Sequence, residues 1–190
     1  TLSGKYDPPR TIIAVLVLLL LVPILSFIYN MVNTFIPIIY ANFFIAVGYG
    51  ILLGFGLRMV ASIGKIRNNM LIVAIGGIVA LVAIYTYWHA FIAYVFADFS
   101  VSASNYLASL TGSFLNVGFF DAINQINEFG TWGIGSSPDN TVNGIFLWIV
   151  WIAEMLIIGG IPLFMVLGRE IHPYSEEQET FYERFTLERA

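Results

Sequence analysis

Cysteine is absent from the 190-residue chain, and charged side chains are scarce. The absence of cysteine excludes disulfide bonds, thiolate metal sites, iron–sulfur clusters and thiol catalysis within the chain. Only 11% of the residues are charged, whereas an average soluble domain has about 25%. Hydrophobic residues make up 58% of the chain and aromatic residues 16%. This balance is typical of an integral membrane protein whose main partner is the lipid bilayer.

Basic residues are few, and they form no patch that would bind nucleic acid. The formal net charge is −4, and half of the acidic residues follow residue 167. Histidine is limited to His89 and His172, which the predicted spans place near opposite membrane faces. One chain therefore cannot hold a haem or a metal between them, and the sequence shows no Ser/His/Asp pattern. We predict no metal, no cofactor and no nucleic-acid partner, and an enzyme is the least supported class of function.

Four apolar runs are long enough to cross a membrane, since a hydrocarbon core about 30 Å thick requires about 20 apolar residues. They lack the alternation of barrel strands and must satisfy their backbone amides internally, which predicts helices. We interpret the first run as a span and not as a signal peptide, because it is long and has no small-residue cleavage site. The runs cover residues 11–29, 37–61, 69–91 with apolar character to residue 96, and 143–167.

The positions of the basic residues predict the orientation. All eight lie before the first span, around the turn between the second and third spans, or after the fourth span: Lys5, Arg10, Arg58, Lys65, Arg67, Arg169, Arg184 and Arg189. Because basic residues are retained on the cytoplasmic side, both termini and the central turn should be cytoplasmic. Arg58, Lys65 and Arg67 set this topology, with contact to anionic headgroups as the less favoured role. The central turn is short, which predicts a tight antiparallel hairpin of spans two and three.

The predicted fold is therefore an all-α integral membrane protein with four spans and both termini in the cytoplasm. The chain has no Asn-x-Ser/Thr sequon, which fits a bacterial inner membrane. Its predicted segments are a cytoplasmic N-terminal segment (1–10), spans one to three (11–96), an extracytoplasmic cap (97–142), the fourth span (143–167) and a cytoplasmic tail helix (168–190).

The cap contains the sequence GFFDAINQINEFG, which predicts an amphipathic helix. Phe120, Ile123 and Ile126 have helical spacing and should form its apolar face, and Gly130 should end it. In the tail, Ser175 and Gln178 have the spacing of a capping box. A helix is predicted to follow, with Phe181 and Phe185 one turn apart as contacts for another protein or for the bundle.

Glycines in the second span allow two interpretations. The sequence AVGYG at residues 46–50 resembles the TVGYG filter of potassium channels. The context argues against a filter, because too few residues follow before the basic turn to form an inner helix. Instead, Gly50 and Gly54 form a GxxxG pattern, and Gly48 and Gly56 extend it. We predict a helix-packing seam whose partner is another span or another chain.

Glu154 lies in the middle of the fourth span, where no water solvates a carboxylate. Ionisable groups inside a span are costly and usually face a bundle interior, a pathway or a partner. Arg58 lies too close to the cytoplasmic end for a direct ion pair. We expect a neutral acid that is hydrogen-bonded to Tyr49, with Asn42 and Tyr85 as alternatives. A structural clasp between helices is favoured over a site for a proton or cation.

Two functions follow as hypotheses. The first is an accessory or structural subunit of a larger membrane assembly, with a membrane-protein partner or a second copy of the chain. The second is a small proton- or cation-coupled transporter centred on Glu154.

Overall fold

The computed structural model describes residues 5–36, 39–96, 108, 111–113, 118–130, 142–168, 174–175 and 180–181. Helices dominate this part of the chain, and one antiparallel pair of two-residue strands lies in the tail. The elements are α1 (Pro8–Phe35), α2 (Ile39–Ile63), α3 (Asn69–Phe96), α4 (Phe119–Phe129), α5 (Gly144–Leu167), β1 (Tyr174–Ser175) and β2 (Thr180–Phe181).

Four of these helices are long and apolar enough to cross a membrane, as the sequence predicts: Pro8–Asn33, Ala41–Ile63, Asn69–Val95 and Gly144–Leu167. The first is longer than predicted. Asp7 caps its N-terminus by accepting a hydrogen bond from the backbone N–H of Arg10 at 3.2 Å, and Pro8 and Pro9 occupy its first two positions. Proline is favoured there because the first N–H groups of a helix have no intrahelical partner. The cap therefore extends the helix beyond the apolar run.

The four long helices form a bundle in the order α1, α2, α5, α3 around its axis. Helix α1 packs against α2 and α3, and α5 packs against the same two helices from the other side. Helices α2 and α3 are consecutive in the chain but lie diagonally and share few contacts. The expected tight pairing of spans two and three is therefore wrong, because α1 and α5 lie between them. The outward faces are apolar, as for Leu20, Phe44 and Ile145.

The N-terminal segment and the α2–α3 turn lie together at one end of the bundle. The backbone N–H of Asp7 donates to the carbonyl of Gly64 at 2.9 Å, and that of Arg67 donates to the carbonyl of Lys5 at 3.1 Å. The Nε of Arg58 donates to the carbonyl of Met165 at 3.0 Å and so satisfies an acceptor in the last turn of α5. We call this the basic end, because Lys5, Arg10, Arg58, Lys65 and Arg67 all lie at it.

Helix α4 lies at the opposite end, which we call the far end, where it contacts α3 and α5. Ile123 and Ile126 are buried as predicted, but Phe120 is 74% exposed. The prediction for Phe120 is wrong because the buried face turns toward Ala122 and Asn127. Asn127 donates from Nδ2 to the carbonyl of Gly144 at 2.9 Å and thereby fixes α4 to the start of α5.

Gly130 ends α4 as predicted. Its φ of 80° lies in the left-handed region, and its N–H donates to the carbonyl of Ile126 at 2.9 Å. Glycine adopts this conformation without the steric cost that a Cβ atom would add. The chain can therefore turn sharply where the helix stops.

The tail differs from the predicted helix. Tyr174 pairs with Phe181 and Ser175 with Thr180 in an antiparallel register. The predicted helix is therefore wrong at Ser175 and Phe181, and Phe185 lies outside the described residues. Tyr174, Thr180 and Phe181 are aromatic or β-branched residues, which favour extended pairing, and a short isolated helix is marginal in water.

Candidate functional site

The site is built around Glu154, whose side chain is only 2% exposed. Glu154 lies about ten residues into α5, which places it roughly 15 Å from the start of the helix at 1.5 Å per residue. The carboxyl group points into the bundle and not toward the surrounding lipid. It is therefore held by side chains of the other three long helices.

Tyr29 on α1 is the direct partner of the carboxyl group. Its hydroxyl donates a hydrogen bond to Oε1 of Glu154 and lies 3.4 Å from Oδ1 of Asn42 on α2. Tyr87 on α3 and Asn42 also lie within interaction range of the carboxyl group. Oε2 of Glu154 has no hydrogen-bond partner among the described residues. The Glu154 carboxyl group thus links α5 to α1, α2 and α3, and its Oε2 atom accepts no hydrogen bond from the described residues.

A second hydroxyl cluster adjoins this one. Ser26 lies 2.7 Å from the hydroxyl of Tyr49 and 2.7 Å from Oγ1 of Thr86, measured from its Oγ atom. The rings of Tyr29 and Tyr49 stack with their centroids 4.7 Å apart, and Tyr87 meets Tyr29 edge to face at 5.0 Å. The stacked pair joins the two clusters through ring contacts. The polar groups of the site are therefore set in a rigid aromatic framework.

The predicted partners of Glu154 take different positions. Asn42 is part of the site. Tyr49 contacts the site indirectly: its hydroxyl bonds to Ser26, and its ring stacks on Tyr29, which bonds to Glu154. Tyr85 is 48% exposed and packs against His89 and Phe119 at the edge of the bundle, so it does not join Glu154.

Tyr29 and Tyr87 are not among the partners that the sequence predicts for Glu154, because both lie near the predicted outer ends of their spans. The structure buries each of them to 3% exposure. A signal was present for Tyr29, since Ser26 lies three residues before it and Asn33 four residues after it, on the same helical face. A polar stripe of this kind in an apolar helix indicates a face that avoids lipid.

Tryptophan rings pack beside Glu154 on the buried face of α5. Trp151 is 1% exposed and meets Trp88 edge to face at 4.8 Å and Trp148 at 5.3 Å. Edge-to-face packing is favoured by the charge distribution of aromatic rings. Because Trp151 precedes Glu154 by three residues, these rings lie next to the carboxyl group inside the bundle.

The glycine seam is used mainly within the chain. A Cβ atom at Gly50 would stand 3.1 Å from Cβ of Ile161 on α5, and one at Gly54 would meet the side chain of Met165 on the same helix. Gly56 instead faces Leu18 on α1, and a Cβ atom at Gly48 would meet no atom within 4 Å. The partner of the Gly50–Gly54 pair is therefore the fourth span.

His89 lies apart from Glu154, toward the far end. Its Nδ1 atom forms a 2.7 Å hydrogen bond with Oγ of Ser113, and its ring packs against Phe119 at 5.2 Å. This contact ties α3 to the segment that precedes α4. In the described part of the chain, no group of three or more His, Asp or Glu residues is placed to hold a metal ion.

The apolar outer surface and the four long helices define the class of protein, a polytopic helical protein suited to a membrane. Comparison of the chain with known proteins found no matching family model, no similar curated protein and no similar solved structure. Its function is therefore argued from the site itself.

Proposed function

We propose that this protein is an accessory or structural subunit of a larger membrane assembly, with both termini in the cytoplasm. The orientation is supported by the clustering of Lys5, Arg10, Arg58, Lys65 and Arg67 at one end of the bundle. Short segments rich in Lys and Arg stay on the cytoplasmic side. In this orientation α4 lies on the extracytoplasmic side. We take the membrane to be a bacterial inner membrane because the chain has no Asn-x-Ser/Thr sequon.

The subunit role is carried by the position of Glu154. Its carboxyl group contacts side chains from α1, α2 and α3 at 2% exposure. An internal polar clasp of this type stabilises one arrangement of helices. The glycine pair Gly50 and Gly54 is likewise occupied by α5. Both features are typical of a bundle that serves as a rigid scaffold.

The contact surface for a partner then lies outside the seam. Helix α4 presents Phe120 and Phe129, which are 74% and 80% exposed, beside the exposed acids Asp121 and Glu128. Aromatic side chains are enriched in protein interfaces and contribute much of their binding energy. We therefore assign partner contact to this face of α4.

Purification from native membranes in a mild detergent tests the subunit role. We expect stoichiometric partners to co-purify with the unaltered protein, and the double variant Phe120→Ala, Phe129→Ala to lose at least one of them. The matched control is Phe44→Ala on α2, whose side chain is 79% exposed on the membrane face. A homogeneous chain without partners, seen by native mass spectrometry, would contradict the proposal.

A second function, proton- or cation-coupled transport, is favoured by one observation. Oε2 of Glu154 is buried and has no partner in the described part of the chain, and embedded acids of transporters commonly bind the coupling ion. Glu154→Gln retains the shape and the acceptor for Tyr29 but cannot release a proton. Proton flux into proteoliposomes should stop in this variant, and flux that survived it would eliminate transport through Glu154.

A further inference from the structure

One face of α1 carries a row of polar side chains that leads from the site toward the far end. Tyr29 lies three residues after Ser26 and four before Asn33, and Asn30 lies four residues after Ser26 and three before Asn33, so the four side chains occupy one side of the helix. Ser26, Tyr29 and Asn30 are 0%, 3% and 1% exposed. The row is therefore inside the bundle, although α1 is otherwise strongly apolar.

Partners from the neighbouring helices line the same row. Ser26 bonds to Tyr49 and Thr86 at its inner end, and Asn30 donates from Nδ2 to the carbonyl of Ala90 at 3.3 Å. Asn33, the outermost member, approaches the hydroxyl of Tyr29. The polar groups thus continue from the Glu154 carboxyl group to the last turn of α1.

The opposite half of the bundle lacks such a row. Among the described residues, Thr11 is the one buried polar side chain in that half, and it bonds to the carbonyl of Gly64 at the surface turn. All other buried side chains there are apolar, from each of the four long helices: Ala14, Leu18, Val22, Leu53, Leu57, Val60, Ile72, Ile75, Val79, Ile158 and Val166. Apolar packing of this density excludes water.

Two groups on the polar side lack partners. Neither Nδ2 nor Oδ1 of Asn33 forms a hydrogen bond within the described part of the chain, and neither does Oε2 of Glu154. Buried polar groups without a protein partner are costly and usually bond to water. The Glu154 atom lies beside Tyr29, and Asn33 lies one helical turn beyond Tyr29 toward the far end.

We propose that Glu154 is a proton-binding site in exchange with the extracytoplasmic side alone. The O–H bond of the carboxylic acid breaks, its proton passes to water in the polar row, and the resulting carboxylate keeps the hydrogen bond from Tyr29. The titratable groups that face it are Tyr29 from α1 and Tyr87 from α3, with Tyr49 of α2 stacked behind Tyr29. The described basic residues lie at the other end of the bundle.

The site therefore senses the pH of one compartment, whether or not the chain joins an assembly. That this compartment is the extracytoplasmic one depends on the proposed orientation. That access is from one side depends on the row of polar side chains on α1 and on the apolar packing in the half of the bundle near the basic end.

Single-cysteine labelling tests the access path, because the natural chain contains no cysteine. Ser26→Cys and Val22→Cys are a matched pair, one turn apart on α1 and each 0% exposed in the parent. In sealed vesicles, a charged, membrane-impermeant methanethiosulfonate should label Ser26→Cys from the extracytoplasmic face at least tenfold faster than Val22→Cys, and Asn33→Cys faster still. Unchanged elution in detergent and unchanged tryptophan fluorescence establish that each variant is folded.

Three outcomes would overturn parts of this inference. Failure to label Ser26→Cys and Asn33→Cys from either face would eliminate the path. Equal labelling of Val22→Cys would eliminate the apolar barrier. Labelling from the cytoplasmic face alone would reverse the orientation, and it would leave the subunit proposal to its own partner test.

Infrared spectroscopy tests the proton itself. The carboxylic C=O band that is absent from Glu154→Gln should shift when the parent is transferred to D₂O. Exchange should be at least tenfold slower in Asn33→Leu, which interrupts the row, and unchanged in Thr11→Val at the basic end. The absence of such a band in the parent, or equal exchange rates in all three proteins, would refute proton exchange through the row.

Discussion

The hydrogen bond between Tyr29 and Glu154 can be measured by a double-mutant cycle. Tyr29→Phe removes the hydroxyl but keeps the ring that stacks on Tyr49 at 4.7 Å. Glu154→Leu removes the carboxyl group and keeps an apolar side chain of similar size. The interaction energy is the part of the double-mutant effect that the two single changes do not explain.

The expected magnitude follows from the environment of the bond. Interhelical hydrogen bonds in membrane proteins contribute about 0.6 kcal/mol on average and up to about 1.7 kcal/mol. The Tyr29 and Glu154 side chains are 3% and 2% exposed, so water competes little and we expect a coupling of about 1 to 1.5 kcal/mol. Hydrogen bonds to charged groups contribute about 1.5 to 3 kcal/mol. A coupling above about 2 kcal/mol would therefore indicate a carboxylate instead of a neutral acid.

Unfolding in mixed micelles by a denaturing detergent supplies the free energies, with tryptophan fluorescence as the signal. Trp151 reports on the site because it is buried between Trp88 and Trp148. Thr11→Val combined with Glu154→Leu is the control, and its two effects should add because Thr11 lies at the basic end. A coupling between Tyr29 and Glu154 no larger than in this control would refute the clasp.

Two further predictions concern helix packing, and both use the same unfolding assay. Gly50→Ala should reduce the free energy of unfolding by about 1 to 3 kcal/mol relative to Gly48→Ala. The new Cβ atom at Gly50 would stand 3.2 Å from the carbonyl oxygen of Ile157, whereas Gly48 faces open space. Equal stability of the two variants would contradict the close approach of α2 and α5. Ile123→Ala should destabilise the fold by about 2 kcal/mol or more, as expected for an isoleucine that is 4% exposed. Phe120→Ala should change stability by less than about 0.5 kcal/mol, because this side chain is 74% exposed. A larger loss of stability in Phe120→Ala than in Ile123→Ala would refute the placement of α4.

The extent of the long helices along the chain could largely be predicted from the sequence, because it depends on the length of the apolar runs. The fourth span was predicted at 143–167, and α5 covers Gly144–Leu167. The first span was underestimated at both ends. Asp7, Pro8 and Pro9 are polar or helix-breaking by composition but favourable at a helix start, and the helix continues past Tyr29 to Phe35 with Asn30 buried inside the bundle. Capping chemistry, not hydropathy, decided where that helix begins.

The rotation of each helix about its own axis could not be predicted in the same way. A helix that is apolar on all sides carries no amphipathic pattern that tells the lipid face from the packing face. Tyr49 was therefore preferred as the partner of Glu154 because its depth matches, whereas the structure brings in Tyr29 from α1. Helix α4 has an amphipathic pattern, yet the pattern fixes its rotation only approximately: Ile123 is buried as predicted, whereas Phe120 is exposed.

Helix α5 accounts for both features that the sequence marks most strongly. It supplies the Glu154 carboxyl group to the junction with the other long helices, and further along it receives Gly50 and Gly54 of α2. A partner protein that displaced α5 from this seam would also have to remove the carboxyl group from Tyr29, which leaves two buried polar groups without partners and is costly. In the proposed assembly we therefore expect the partner to bind on the outside of the intact bundle, where α4 exposes the aromatic side chains of Phe120 and Phe129.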